Sequence, residues 1–225
     1  MKHDVMSVLI KHIKELYQIL DMYNVSNKLS FVSVADADLV FQKAILMSVG
    51  YIGELSKKLD DGIKQLNPNV NWRRLGTSRN VIFHDYDIVD MEIISSVVFK
   101  DISALRLIKE VDVNDIRQAL ALVYSVFSEF IGLHCSEKGK NTFKNDLENI
   151  DKEFFCGLIP GVRKIWVCYQ GGQIIGVIAI KDISHISHMV VDKQHRKKGI
   201  ARYMFNYLLS ELNNNRLKSE GLKSD

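Results

Sequence analysis

The sequence predicts two regions of different class in one chain: an antiparallel four-helix bundle, then a partial mixed sheet with helices. Three observations carry this. Up to about residue 104, apolar residues recur every three or four positions. Beyond it, short β-branched runs take over. Gly171-Gly172 separates two of those runs, as in a hairpin. The expected division is therefore 1–104 and 105–225, with almost no linker.

The first helix rests on Val5, Val8, Leu9, Ile13, Leu16 and Leu20. The second is expected after Asp36 or Asp38 and runs to about Leu59. Its apolar arc is wide (Val40, Ala44, Met47, Tyr51 and Leu55 beside Phe41, Ile45 and Ile52), which suits burial on more than one side. Asn67-Pro68-Asn69 reads as a turn. A third helix spans Trp72 to about His84, and a fourth starts near Asp90, a natural N-cap. In the second region, Leu105–Val111 reads as a strand and Val113–Phe130 as a helix. Glu137–Ile150 is a polar helix, and Ile165–Tyr169 with Ile174–Ile180 form the hairpin. Ile186–Val191 is a further strand, before a helix from Gly199 to about Leu212. The polar tail from about 213 is expected to be disordered.

Composition narrows the class. Of 225 residues, 47% are apolar and 25% charged, as in a soluble globular protein. Net charge is +3, too small for bulk attraction to nucleic acid, which leaves room only for a local basic site. Residues 1–110 carry 14 basic and 14 acidic side chains, so the excess lies beyond them. Cys135, Cys156 and Cys168 have no metal-ligand spacing and read as free thiols in a reducing cytoplasm. Charges interrupt the N-terminus too early for a secretory segment, and no apolar run reaches membrane-spanning length.

Two stretches carry chemistry. In "SRNVIFHDY", Arg79 offers a planar cationic fork suited to phosphate, and His84 can exchange a proton near neutral pH. Those are the two groups needed to cleave a phosphodiester with the neighbouring ribose hydroxyl. At roughly 100° per residue, Asn80 shares a helix face with His84 while Arg79 lies about 140° away. Either the arginine reaches round, or a second copy of the helix completes the site. On spacing alone, a helix-capping or dimer-stabilising pair fits as well.

The run Arg79-Asn80-x-x-x-His84-x-Tyr86, following Trp72-Arg73 in a four-helix pattern, resembles the HEPN superfamily, and within it the HepT-type toxins. The resemblance covers about residues 1–104. It implies a dimeric, metal-independent endoribonuclease with Arg79 and His84 as catalytic pair and Asn80 as their polar neighbour. It also implies a nucleotidyltransferase antitoxin that silences the toxin by adding AMP to Tyr86. Two other readings stay open: a module that only binds the nucleotidyltransferase, and an acetyltransferase whose helical half serves dimerisation.

In "VVDKQHRKKGIARYMF", Arg196, Lys197 and Lys198 precede small Gly199 and Ala201 at a strand-to-helix turn. Unpaired N–H groups at a helix start favour a pyrophosphate. An ordinary basic turn has the same composition. The element order and the R-x-x-G-x-A run resemble GNAT acetyltransferases over about residues 105–212. The resemblance implies acetyl-CoA, its pyrophosphate on the amides of 196–201, Ile200 among them, and its pantetheine beside Met189–Val191. The chain ends before the strand, helix and hairpin that complete that family's fold. No glutamate stands on the Ile186–Val191 strand, where His185 and His188 are the substitutes. The expectation is therefore cofactor binding, with transfer not implied.

Overall fold

A computed structural model of the protein describes residues 5–84, 89–155, 163–181 and 185–219. It divides into two units: residues 1–107 with 169–173, and residues 108–168 with 174–225.

The first unit is helical. Helix α1 (Val5–Met22) buries Leu9, Ile13, Leu16 and Leu20 along one stripe. A short helix that the periodicity did not announce, α2 (Lys28–Ala37), follows. Its start is a reciprocal cap: Ser30 N–H donates to Asn27 Oδ1 at 3.0 Å, and Asn27 N–H to Ser30 Oγ at 3.3 Å. Asp38 then ends α2 and caps α3 (Leu39–Lys57), accepting from the N–H groups of Val40 and Phe41 at 2.8 and 2.9 Å. One carboxylate therefore sets the break between two helices. Phe31 of α2 meets Phe41 of α3 edge-on at 5.5 Å and Phe99 at 5.9 Å, tying α2 into the core.

The short α4 (Asp61–Leu66) leads to Asn67, which does more than turn the chain. Its side chain donates to the carbonyls of Ile63 and Arg106 and accepts from the Arg106 N–H at 2.8 Å. Helix α5 (Trp72–His84) has the expected bounds. Asp90 caps α6 (Met91–Ser96), accepting from Glu92 N–H at 2.8 Å. The helix then widens into a π-helical segment, Val97–Ile102. That segment carries Asp101, only 1% exposed, whose carboxylate takes two hydrogen bonds from the Arg74 guanidinium at 2.6 and 2.9 Å. The same carboxylate accepts from the Asn71 N–H at 3.2 Å. Among the described residues, α1, α3, α5 and α6 with its π-helical extension follow in order, with α2 and α4 between them.

The second unit holds most of a four-stranded sheet in the order β1 (Arg106–Glu110), β2 (Arg163–Gln170), β3 (Gln173–Lys181), β4 (His185–Val191). Strand β1 does not alternate: Leu107, Ile108 and Lys109 are buried in succession. Lys109 is held by Asp112 and Asp115 at 2.5 and 2.6 Å. Strand β3 buries every residue but its ends, as a central strand covered on both faces does. Strand β4 is antiparallel to β3 and lies at the edge among the described residues. Its register slips at Ser187: Ala179 faces His188, but Ile180 faces Ile186. The extra residue is a β-bulge.

Helices α7 (Ile116–Phe130), α8 (Glu137–Phe155) and α9 (Ile200–Ser219) complete this unit, with α7 and α9 against β4. Met204 of α9 is fully buried over Gly176 of β3, where a Cβ would meet its sulfur at 2.8 Å. Helix α9 runs past Leu212 to Ser219, farther than the tail's composition suggested. No described helix is long and apolar enough to cross a membrane.

Candidate functional site

In the helical unit the site is built on α5. This helix lies unusually close to α3, because Gly53 presents no side chain: a Cβ there would sit 2.6 Å from the Leu75 carbonyl oxygen. The close approach brings the next residue of α3, Glu54, to Arg79. Arg79 Nε stands 3.5 Å from Glu54 Oε2, and its Nη1 donates to Asn80 Oδ1 at 3.3 Å. The Arg79 side chain keeps 37% exposure, so it faces water while held on two sides. Glu54 also lies 3.8 Å from both Lys57 and Lys58. Arg79 and Asn80 are therefore brought together. His84 is the last residue of α5, and its side chain lies outside the described residues, as does Tyr86.

Sequence reasoning missed Glu54. A glutamate on a helix edge carries no mark of the helix it will touch. The one available signal was Gly53-Glu54, a small residue inside a long helix beside an acid, which marks a close crossing.

The second site is the turn from β4 to α9. Lys197 and Gly199 both adopt left-handed backbone, with φ of 61° and 77°. That conformation costs a non-glycine residue about 1–2 kcal/mol. The space beside Gly199 is open: a Cβ would meet nothing within 4 Å. Lys197, Lys198 and Ala201 are exposed, and Ile200 is buried as the first residue of α9. The first N–H groups of α9 lack intrahelical acceptors.

Arg196 does something different. Its Nε donates to the Val191 carbonyl at 3.1 Å, its Nη2 to Glu129 Oε2 at 2.9 Å, and its guanidinium lies 4.4 Å over the Phe130 ring. Lys193 approaches the other Glu129 oxygen at 3.3 Å. The Arg196 hydrogen bond, helped by Lys193, holds the Glu129 carboxyl below the usual carboxylate range. Asp192 caps the one-turn 3₁₀ segment Lys193–His195, accepting from Gln194 N–H at 3.0 Å and contacting His195 Nδ1 at 2.8 Å. Burial works against the Asp192 charge, but these bonds outweigh it and lower its pKa. Arg196 thus fastens the turn to α7.

On β4, Val191 faces Gly176 and Met189 faces Ile178, with Met189 37% exposed. His188 Nδ1 lies 3.2 Å from Ser187 Oγ at the bulge, and His185 opens the strand, exposed. A cavity of about 420 Å³ between α7 and α8 is floored by Leu120, Ala121 and Leu147, and none of the site residues lines it. Among the described residues there is no group of three or more His, Cys, Asp or Glu side chains able to hold a metal ion.

Two family models match the chain. "Ribonuclease HepT-like" covers residues 6–111, and "Acetyltransferase (GNAT) domain" covers residues 133–222. A protein named "Probable ribonuclease HepT" from Thermococcus cleftensis is 32% identical over 65 residues, 29% of this chain and 59% of that protein. A relative from Methanocaldococcus jannaschii is 27% identical over 70 residues, 31% of this chain and 62% of its own length. The chain thus spans about three fifths of the curated relatives it matches. Two solved structures align with 53% of the chain. One is titled a possible acetyltransferase from Clostridium difficile 630, with TM-score 0.37, 17% identity and 92% of that chain covered. The other, from Clostridium acetobutylicum, is titled a predicted acetyltransferase with acetyl-CoA, with TM-score 0.35, 16% identity and 77% covered. The HepT-like match thus falls on residues 6–111 and the GNAT match on residues 133–222 of one chain.

Proposed function

We propose that the helical domain is a metal-independent endoribonuclease and the toxin of a toxin–antitoxin pair. The observation that carries this is the R-x-x-x-x-H-x-Y run inside the HepT-like match, with Arg79 on the exposed side of α5 and held by Glu54 and Asn80. In the proposed reaction a ribose 2′-hydroxyl attacks the adjacent phosphorus and the bond to the 5′ oxygen breaks. His84 moves the proton, and Arg79 stabilises the charge growing on the phosphate oxygens. The 140° between Arg79 and His84 on one helix favours a site completed by a second subunit. AMP added to Tyr86 by a nucleotidyltransferase antitoxin would set a bulky anion two residues from His84 and repel the RNA phosphate. The pair would act in the cytoplasm.

Purified protein should cleave RNA in the presence of a chelator and yield cyclic phosphate ends. His84→Ala and Arg79→Ala should each abolish cleavage; retention by either refutes the mechanism. Incubation with the nucleotidyltransferase and ATP should stop cleavage in the parent but not in Tyr86→Phe.

A second reading concerns the GNAT domain, and the left-handed Lys197 and Gly199 turn favours it. We propose that this turn binds the pyrophosphate of acetyl-CoA through the amides of residues 196–201, with Lys197 and Lys198 supplying charge and the β4 edge near Met189 taking the pantetheine. Calorimetry with acetyl-CoA tests it, and no heat at millimolar ligand overturns it.

A further inference from the structure

On the same face of the helical domain, two aromatic rings from different helices lie parallel. The imidazole of His12 on α1 stacks on the Tyr51 ring of α3, with centroids 5.2 Å apart and planes 11° from parallel. His12 Nδ1 contacts Glu15 Oε2 at 3.0 Å, which fixes the imidazole against rotation. Tyr51 is 45% exposed, although it lies in a helix otherwise packed on two sides. It stands three residues before Glu54, so the two are neighbours on one face of α3, and Glu54 is the residue that touches Arg79. Tyr51 therefore stands about one helical turn along α3 from the residue that meets the guanidinium.

The charge around them favours an anion. Lys11 is 73% exposed, and Lys57 and Lys58 are 42% and 55% exposed, with Arg79 beyond them. Only Glu15 and Glu54 oppose these four cations among the groups named here.

We infer that Tyr51 and His12 form a stacking platform for an unpaired nucleobase of single-stranded RNA whose neighbouring phosphate lies at Arg79. This rests on the ribonuclease reading above and adds to it a base-binding subsite. A flat aromatic surface beside a cation is how single strands are held without base-specific hydrogen bonds, since every base has a π face. A pre-stacked pair suits this role because its rings are already ordered and lose little freedom on binding. The platform implies a preference for unpaired over duplex RNA, in which bases are already stacked on one another.

The test uses the full chain carrying His84→Ala, so that RNA is bound and not cut, with anisotropy of a labelled single-stranded oligonucleotide and of the same strand with an abasic site. Tyr51→Phe keeps the ring and should keep the preference for the intact over the abasic strand. Tyr51→Leu should lose about 5- to 150-fold in affinity for the intact strand, the range for one stacked base, and much less for the abasic strand. Equal affinity of Tyr51→Leu and Tyr51→Phe overturns the platform, as does an equal loss on both strands. A shift of Tyr51→Leu to a smaller species in sedimentation also overturns it, by making the face a subunit contact. If Arg79→Ala weakens binding while Tyr51→Leu does not, only the platform falls. If no RNA binds at all, the ribonuclease reading falls with it.

Discussion

Replacing Gly53 with alanine should disturb the proposed ribonuclease site without altering any side chain assigned to it. The added Cβ would stand 2.6 Å from the Leu75 carbonyl oxygen, 3.0 Å from Ser78 Oγ and 3.5 Å from Arg79 Cβ. Ordinary contact begins at 3.4 Å, so α3 and α5 must separate by about 0.8 Å at this point. The obstructing atom is backbone, and it already accepts the Ser78 hydroxyl at 2.7 Å, so it cannot rotate aside. Overpacking of this kind costs about 1–3 kcal/mol. Alanine's better helix propensity returns about 1 kcal/mol. The net loss is about 0–2 kcal/mol, up to several degrees in the melting temperature of a domain this size. Gly62→Ala, where a Cβ would meet nothing within 4 Å, is the control and should be neutral or slightly stabilising. The displaced helix carries Arg79, so RNA cleavage should fall further than stability explains, while acetyl-CoA binding stays at the parent value. Differential scanning calorimetry and a cleavage assay well below the melting temperature read the two effects. A Gly53→Ala protein as stable and as active as the parent would show that the crossing is not tight, and the reasoning about α5 placement would fail.

Asp101→Ala should destabilise the helical domain by about 2–3 kcal/mol in a urea melt. That is below the range for fully buried pairs, because Arg74 keeps 33% exposure. Gly199→Ala meets no atoms but is held at φ 77°, so it should cost about 1–2 kcal/mol of backbone strain and weaken acetyl-CoA binding in calorimetry. Burial pulls the Lys109 pKa down, but the hydrogen bonds to Asp112 and Asp115 outweigh it, and the value is raised above the ordinary 10.5. A raised value in the folded state means that this contribution is complete below pH 10.5 and is lost as pH rises through the folded value. Stability measured against pH should therefore fall more steeply above that point in the parent than in Lys109→Met.

The sequence made legible whatever depends on local chemistry. Asp90 could be read as a cap because a capping carboxylate acts on the N–H groups just after it. The bounds of α5 and the hairpin at Gly171-Gly172 were likewise set by neighbours in the chain. Helix α2 was missed because its amphipathic signal is weak: only Phe31 and Ala35 are buried in ten residues. What holds it is the Asn27–Ser30 capping box and the Phe31–Phe41 contact. Strand β1 was read from Leu105–Val111, but nothing local showed that Lys109 would be buried with its neighbours, neutralised by two aspartates downstream. Pairings across long sequence separations, Arg74 with Asp101 and Arg196 with Glu129, leave no periodic trace at all.

The pairings with Glu54 and Glu129 distinguish the two arginines singled out by motif, Arg79 and Arg196. Both are met by a glutamate from an adjacent helix, yet the consequences differ. Glu54 meets Arg79 at 3.5 Å through one nitrogen, with both side chains more than a third exposed. Such a pair is worth less than about 1 kcal/mol. Under the proposed ribonuclease reading, an RNA phosphate would displace the carboxylate at little cost, while the contact keeps the guanidinium aimed outward beforehand. Arg196 is fixed by a charged hydrogen bond, a backbone carbonyl and an aromatic face together. Releasing it for a ligand would undo all three and loosen the turn from α7. Its side chain braces the turn, so under the proposed acetyl-CoA reading the charge offered to a pyrophosphate would come from Lys197, Lys198 and the backbone amides of the turn. Lysine-to-glutamine changes at 197 and 198 should then lower the affinity for acetyl-CoA and flatten its salt dependence, whereas Arg196→Gln should lower the stability of the domain itself.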